Sequence, residues 1–248
     1  MEGSNHSGKH YPPYSAFMQF DEVLVTGATG LLGPHVCRAL IGNGFLPRLL
    51  VREGAEERIE PDLRERCRVS LGDVTNRESV VEVGAQGTSA IVHLAGAWKE
   101  DPRRGITFEE AHVHATANVL YAASYWGIER LIFVSAAGAR IGDPVPYFDA
   151  RGKAEALVRD ACLYWTVFRP APWYDLRDGK PRVSTGYLED LAAAIAGSVD
   201  RDDTIGRVFE DASTDRFPWE ELSGYSGTRL TQGTDRESHR PSPSGFPG

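Results

Sequence analysis

DEVLVTGATGLLG, residues 21–33, decides the fold. Asp21–Thr26 is a short, β-branched apolar run of the kind that forms a strand buried on both faces. It stops at Gly27, and Gly33–Asn43 continues with apolar residues at helical spacing. Between strand and helix lies G-x-x-G-x-x-G. Gly27 permits a tight turn, Gly30 lets the backbone approach a phosphate, and Gly33 lets the helix pack close to the strand. The free N–H groups and the positive end of the helix dipole would then face an anion. Strand, glycines and helix follow in the order a dinucleotide site requires. A glycine-rich turn with no ligand is the competing reading.

Outward from this loop, strand and helix patterns alternate. Leu46–Val51, Cys67–Leu71, Ala90–Leu94, Leu131–Ser135 and Trp165–Arg169 read as strands. Arg77–Gly84, Phe108–Trp126 (with Gly127 as its C-cap), Ala150–Cys162 and Tyr187–Ala196 read as helices. Strands that are apolar throughout, separated by helices, predict an α/β doubly wound, mainly parallel sheet of six or seven strands. Residues 1–19 are rich in Gly, Ser, His, Pro and Tyr and read as a disordered leader, with Met18 a possible start. Residues 223–248 have almost no aliphatic side chains and many turn formers, and read as a disordered tail. That leaves residues 20–170 as the nucleotide-binding domain and 171–222 as a small substrate cap interleaved with its sheet.

The chain has 248 residues, enough to bury a core without disulfide or metal staples. Its net charge of -8 argues against a nucleic-acid partner. No apolar run approaches the ~20 residues of a membrane span, and the first residues lack the apolar stretch of a secretory signal. Cys37, Cys67 and Cys162 are scattered, which fits a reducing, cytoplasmic setting and no metal site. G-x-S-x-G, H-E-x-x-H and G-K-[ST] do not occur, which disfavours hydrolase, zinc-protease and P-loop chemistry.

The choice between the two nicotinamide dinucleotides turns on the end of the second strand, Leu49-Leu50-Val51-Arg52-Glu53. A site for NAD(H) usually has an acid there for the ribose 2′-hydroxyl. Val51 takes that position and Arg52 follows, so a guanidinium suits a 2′-phosphate and NADP(H) is preferred. Glu53, an acid displaced by a residue or two, keeps NAD(H) open. The charged stretch Glu56–Arg68 reads as a solvated segment over the adenine end, from which Arg58 or Arg64 could assist.

LVTGATGLLG resembles the T-G-x-x-G-x-x-G loop of the extended or atypical short-chain dehydrogenase/reductase superfamily. The resemblance runs from about Phe20 to Leu222. It continues in Gly72-Asp73-Val74, in His93-Leu94-Ala95-Gly96, in HVHATANVLYAASYWGIERLIFVS from His112 to Ser135, in Lys153-Ala154-Glu155, in Phe168-Arg169-Pro170 and in Tyr187–Ala196. It implies that Gly27, Thr29, Gly30, Leu31, Leu32 and Gly33 hold the pyrophosphate. It also implies that Asp73 and Val74 meet the adenine, and that Leu94, Ala95, Gly96, Lys153 and Pro170 line the rest of the cofactor. The superfamily includes NmrA-like redox sensors and an accessory subunit of respiratory complex I, which keep the fold and relax the catalytic residues.

The superfamily's chemistry uses Asn, Ser or Thr, Tyr and Lys, with Tyr and Lys one helical turn apart. Taking Lys153 as the lysine puts Asp149 at the Tyr position and Tyr147 six residues away. The Ser position falls on Ser135 or on Ala136, and the Asn position on His112. Tyr147, reaching in from an extended loop before the helix, or Asp149 or His112, would then carry the proton. Chemistry favours Tyr147, because an Asp beside a Lys is a poor acid. His35, His93 and His114 read as packing or surface residues. Trp98, Trp173 and Tyr174 follow strands at the carboxyl side of the sheet and are candidate walls of a pocket. The short cap predicts a small or planar carbonyl or alcohol substrate, or none.

Overall fold

The computed structural model describes residues 22–171, 185–211 and 230–232, the last three by backbone alone. Eight strands form one sheet in the order β3-β2-β1-β4-β5-β6-β7-β8. They are β1 Glu22–Thr26, β2 Leu46–Val51, β3 Arg68–Leu71, β4 Ala90–His93, β5 Arg130–Val134, β6 Tyr164–Arg169, β7 Arg207–Asp211 and β8 Leu230–Gln232. The first seven are mutually parallel, and β8 pairs with β7 antiparallel. β1 lies between β2, with Val25 opposite Leu49, and β4, with Val25 opposite Val92. The strand order reverses there, so the crevice at the carboxyl ends of β1 and β4 is the position where this topology binds ligands.

Helices cover both faces. They are α1 Gly33–Gly42, α2 Pro61–Arg64, α3 Ala115–Trp126, α4 Pro146–Asp160 and α5 Thr185–Gly197. Successive strand residues alternate between two cores. Val23, Val25, Leu49, Val92 and Ile132 pack with Val36 and Leu40 of α1 and Leu191 and Ile195 of α5. Leu24, Leu50, Ile91, Leu131 and Phe133 pack with Val119 and Ala122 of α3 and Ala154 and Val158 of α4. At the opposite end of the sheet, buried Arg130 donates to the carbonyls of Tyr164, Ser198 and Val199 and to the hydroxyls of Thr166 and Thr204. This guanidinium ties β5, β6 and the turn after α5 together, a purely structural use of a buried cation.

Three features differ from, or add to, the sequence reading. β7 lies inside the segment taken as a cap. Phe209 stacks on Phe168 at 5.2 Å and Val208 is buried, so this five-residue run is held by packing rather than by local pattern. Leu230–Gln232, within the stretch read as a tail, forms β8. α4 begins at Pro146, not Ala150: Val145 is extended and Pro146 takes the first helical turn, where its missing N–H costs nothing. Trp173 and Tyr174 lie outside the described residues, as do the leader and the rest of the tail. Among the described residues no helix is long and apolar enough to cross a membrane.

Candidate functional site

The glycine loop is built as its sequence dictates. Gly27 has φ 75°, and the Gly30 N–H donates to the Gly27 carbonyl at 3.0 Å, closing the turn. A Cβ on Gly27 would lie 2.7 Å from the Ala95 nitrogen, so the turn abuts the end of β4. A Cβ on Gly33 would lie 2.2 Å from the Ala28 carbonyl oxygen, which lets α1 start directly against the loop. The first turn of α1 has no acidic residue and no side-chain cap, so its positive end is unopposed. Gly30 and Leu31 are exposed, while Leu32 and Gly33 are buried. This cradle fits an anionic pyrophosphate.

Around it stand the other residues expected at a dinucleotide. Thr29 offers its carbonyl to Arg58 Nη2 at 3.1 Å, which lays that guanidinium against the loop. Arg52 and Glu53 are exposed just beyond the buried Val51. Arg64 instead donates to the Glu56 carbonyl at 2.9 Å and braces the segment after β2. Asp73 receives the Thr75 N–H and hydroxyl, both at 2.9 Å, and Asn118 of α3 donates to the carbonyls of Val74 and Thr75. The β3 loop is thereby fixed beside the crevice. Leu94 and Ala95 are half-buried, Gly96 is exposed, and buried Pro170 accepts the Ala137 N–H at 2.9 Å.

The second cluster lies at the carboxyl ends of β4 and β5. Because α4 starts at Pro146, Tyr147 sits on its first turn and Arg151 one turn later, at the i, i+4 spacing that puts both on one face. The Arg151 guanidinium carbon lies 5.6 Å from the Tyr147 ring centroid. The rings of His112 and Phe108 meet Tyr147 edge-on, each at 5.5 Å. Arg151 is 8% exposed and donates from Nη1 to the Val134 carbonyl at 2.8 Å. Its Nε, His112 Nδ1 and Ser135 Oγ are all buried without a hydrogen-bond partner among the described residues.

Lys153 does not share the face of α4 that carries Tyr147 and Arg151. Lys153, two residues past Arg151, is turned to another side of α4, where its Nζ pairs with Asp149 at 3.0 Å and Glu109 at 3.5 Å. Tyr147 comes from the helix, not from a loop before it. Asp149 accepts the Gly142 N–H at 2.7 Å and pairs with Lys153, and both contacts hold its pKa below the usual carboxylate range. It cannot serve as an acid near neutrality. His112 donates from Nε2 to the Ala97 carbonyl at 2.8 Å, and burial, helped by Arg151, pushes its pKa down to about 2. It stays neutral. The sequence did contain the signal for Arg151: it is four residues after Tyr147 and four before Glu155, whose carboxylate is taken up by Arg169 at 2.6 and 2.9 Å. Anchoring on the only nearby lysine hid it.

His93 is fully buried and structural. Its Nδ1 meets the Thr26 hydroxyl at 2.6 Å and its Nε2 the Thr116 hydroxyl at 3.1 Å, locking β1, β4 and α3 together. Burial pushes its pKa down to about 3. His93 and His112 take up protons at about 6.5 when unfolded but stay neutral in the fold, so the unfolded chain binds more protons below that pH. Stability is full above pH 6.5 and falls as pH drops, by about 1.4 kcal/mol per pH unit for each histidine. Urea denaturation at several pH values from neutrality down to about pH 5 should show this slope, and His112→Gln should roughly halve it. The described aspartates with lowered pKa act only below 3.8 and do not contribute in this window. A flat profile would refute the assignment of neutral buried rings.

A family model described as NAD(P)H-binding matches residues 27–206. Among curated proteins, the chain is 28% identical to a ceramide reductase of Caulobacter vibrioides, over 81% of this chain and 68% of that one. It is 29% identical to a UDP-glucose 4-epimerase of Rhizobium meliloti, over 73% of this chain and 56% of the epimerase. A mitochondrial NADH dehydrogenase 1 alpha subcomplex subunit 9 of Dictyostelium discoideum is 23% identical, over 80% and 61%. Among solved structures, a Bacillus halodurans protein described as an NAD-dependent epimerase/dehydratase aligns with TM-score 0.60 and 25% identity, over 77% of this chain and 92% of that one. A wide-type short-chain dehydrogenase/reductase of Veillonella parvula in complex with NADP aligns with TM-score 0.58 at 19% identity, over 77% and 94%. The match covers about two thirds or less of each curated relative named.

Proposed function

Because the chain belongs to the NAD(P)H-binding family, we propose that it binds NADP(H) in the crevice at β1 and β4 and transfers a hydride to or from a small carbonyl or alcohol. The observation that carries this reading is the glycine cradle at the unopposed start of α1, one residue from the Gly96 backbone that faces the Tyr147 cluster. The cofactor would supply the hydride. The loop residues Gly27 to Gly33 would hold its pyrophosphate, and Asp73 and Val74 would border the adenine. Tyr147 would donate its phenolic proton to the substrate carbonyl oxygen in reduction, and take it back from the alcohol in oxidation. Phe108 and His112 fix the phenol ring, and the buried neutral His112 keeps a second titrating group out of the site. The ceramide reductase relative supports the direction of reduction. The segment 171–222 is short and gives α5 and β7 to the fold, which favours a small substrate, and Trp98, 70% exposed after β4, is an available wall.

Arg52, exposed at the end of β2, and Arg58, laid against Thr29, support NADP(H) over NAD(H). A lost charge-assisted contact to a 2′-phosphate weakens binding roughly 10- to 150-fold. Arg52→Ala should therefore weaken NADPH by that factor and leave NADH within about threefold. Equal losses for both nucleotides, or tighter binding of NADH by the natural chain, would rule out the preference. Turnover is tested by following NADPH oxidation with a panel of small ketones and aldehydes.

A second reading has its own support. The residue one beyond Ser135 is Ala136, without a hydroxyl, and His112 stands where the superfamily has Asn. A cofactor-binding regulatory or accessory protein, as the likeness to the respiratory subunit suggests, would bind NADPH and oxidise none of it across the panel.

A further inference from the structure

Cys37 and Cys67 stand some thirty residues apart in the chain, yet their side chains meet. Cys37 lies on α1, fully buried in the core beneath that helix, and Cys67 directly precedes β3 and packs half-buried against the same core. The Cys37 thiol donates a hydrogen bond to the Cys67 sulfur, and both cysteines are free. The backbones that carry them are held at this spacing. The Cys67 N–H donates to the carbonyl of Leu63, itself a core residue, at 2.9 Å, and Arg38, next to Cys37, pairs with Asp62 at 2.9 Å. Their surroundings make the two sulfurs unlike. The hydrogen bond from Cys37, helped by the Arg66 cation, draws the Cys67 pKa below the usual thiol value, while that same bond and burial push Cys37 up. One sulfur is a partly exposed nucleophile and the other a buried, protonated thiol in contact with it, the arrangement of an attacking and a resolving cysteine. Cys162, the third thiol, is exposed just past the end of α4.

We propose that peroxide oxidises Cys37 and Cys67 to an intramolecular disulfide, which staples the segment after β2 to α1. The Cys67 sulfur attacks one peroxide oxygen, the O–O bond breaks, and the Cys67 sulfenic acid and hydroxide form; the hydroxide takes up the proton that Cys67 released. The Cys37 sulfur then attacks the sulfenic sulfur. The S–S bond forms, the S–O bond breaks, and the hydroxyl leaves as water with the Cys37 proton. Two thiols are oxidised and one peroxide is reduced to two waters. Where glutathione keeps thiols reduced, the pair stays a dithiol until peroxide arrives. The ring closed by the bond holds β2 and the stretch with Arg52 and Arg58, so the cross-link ties this flank of the crevice to the helix that begins at the glycine loop. It removes chain freedom mainly from the unfolded state, which makes the oxidised protein the more stable form. The step involves no nucleotide and stands whatever the crevice binds.

The purified full chain, treated with a few equivalents of hydrogen peroxide, alkylated under denaturing conditions and read by mass spectrometry, tests this. The natural chain should lose two hydrogens, leave Cys162 alone to be alkylated and yield a peptide linking Cys37 to Cys67. Dithiothreitol should restore all three thiols. Oxidation should raise the Tm by roughly 5–15 °C. Cys67→Ser and Cys37→Ala should each abolish both the link and the rise, and Cys162→Ser should keep both. Should Cys37→Ala not fold, Cys67→Ser, at the half-buried position, carries the comparison. Oxygen added to Cys67 without the link would put Cys37 out of reach and overturn the proposal. So would a cross-link through Cys162, three free thiols after treatment, or a linked chain whose Tm is unchanged or lower.

Discussion

Tyr147→Phe should lower turnover by roughly 10²- to 10⁴-fold while leaving the NADPH dissociation constant within about threefold. The substitution removes one oxygen and its proton and keeps the ring that packs between Phe108, His112 and Arg151. The fold should therefore be unchanged. Neither of the other two candidate proton carriers replaces the phenol. Asp149 is held ionised by the Gly142 N–H and Lys153, and His112 is held neutral by burial. Asp149→Asn should thus leave turnover within a few-fold, after a small change at the start of α4. Steady-state kinetics of the two variants on any reduced carbonyl decide the matter. Full activity in Tyr147→Phe would move proton transfer to water or to the substrate.

Gly33→Ala should be the most damaging glycine-to-alanine change among the described residues. The new Cβ would sit 2.2 Å from the Ala28 oxygen, 2.4 Å from its carbonyl carbon and 2.6 Å from its Cα. All three are backbone atoms, so relief requires the loop and the start of α1 to part. Overpacking of this kind costs about 1–3 kcal/mol or more, and here it also dismantles the phosphate cradle. NADPH binding should be lost along with that stability. Gly42→Ala, at the other end of the same helix, has open space around its new methyl. It should be neutral or stabilise by up to about 1 kcal/mol through the unfolded state. Thermal melts with and without NADPH separate the two. Equal melting temperatures would contradict the close approach drawn at Gly33.

How far the sequence could be read depended on how local each signal was. Val23, Val25 and the glycines of the loop carry strand, turn and helix start within a dozen residues, so the sheet and its cradle were legible. β7 was not, because Val208 and Phe209 owe their placement to β6, some forty residues earlier. At α4 a single boundary misled the reading. Counting the helix from Ala150 left Tyr147 in a loop and made Lys153 the obvious cation. Pro146, whose ring suits a first helical turn, moves the start and brings Tyr147 and Arg151 onto one face. The burial that separates Arg151 from Lys153 depends on Gly96 and Val134, neither of which is adjacent in sequence.

Calorimetric titration of the purified chain with NADPH and with NADH tests the central claim most directly. One saturable site per chain is expected, tighter for NADPH than for NADH and abolished by Gly33→Ala. No saturable binding of either nucleotide, or binding that survives Gly33→Ala unchanged, would contradict a nicotinamide dinucleotide seated on the glycine loop.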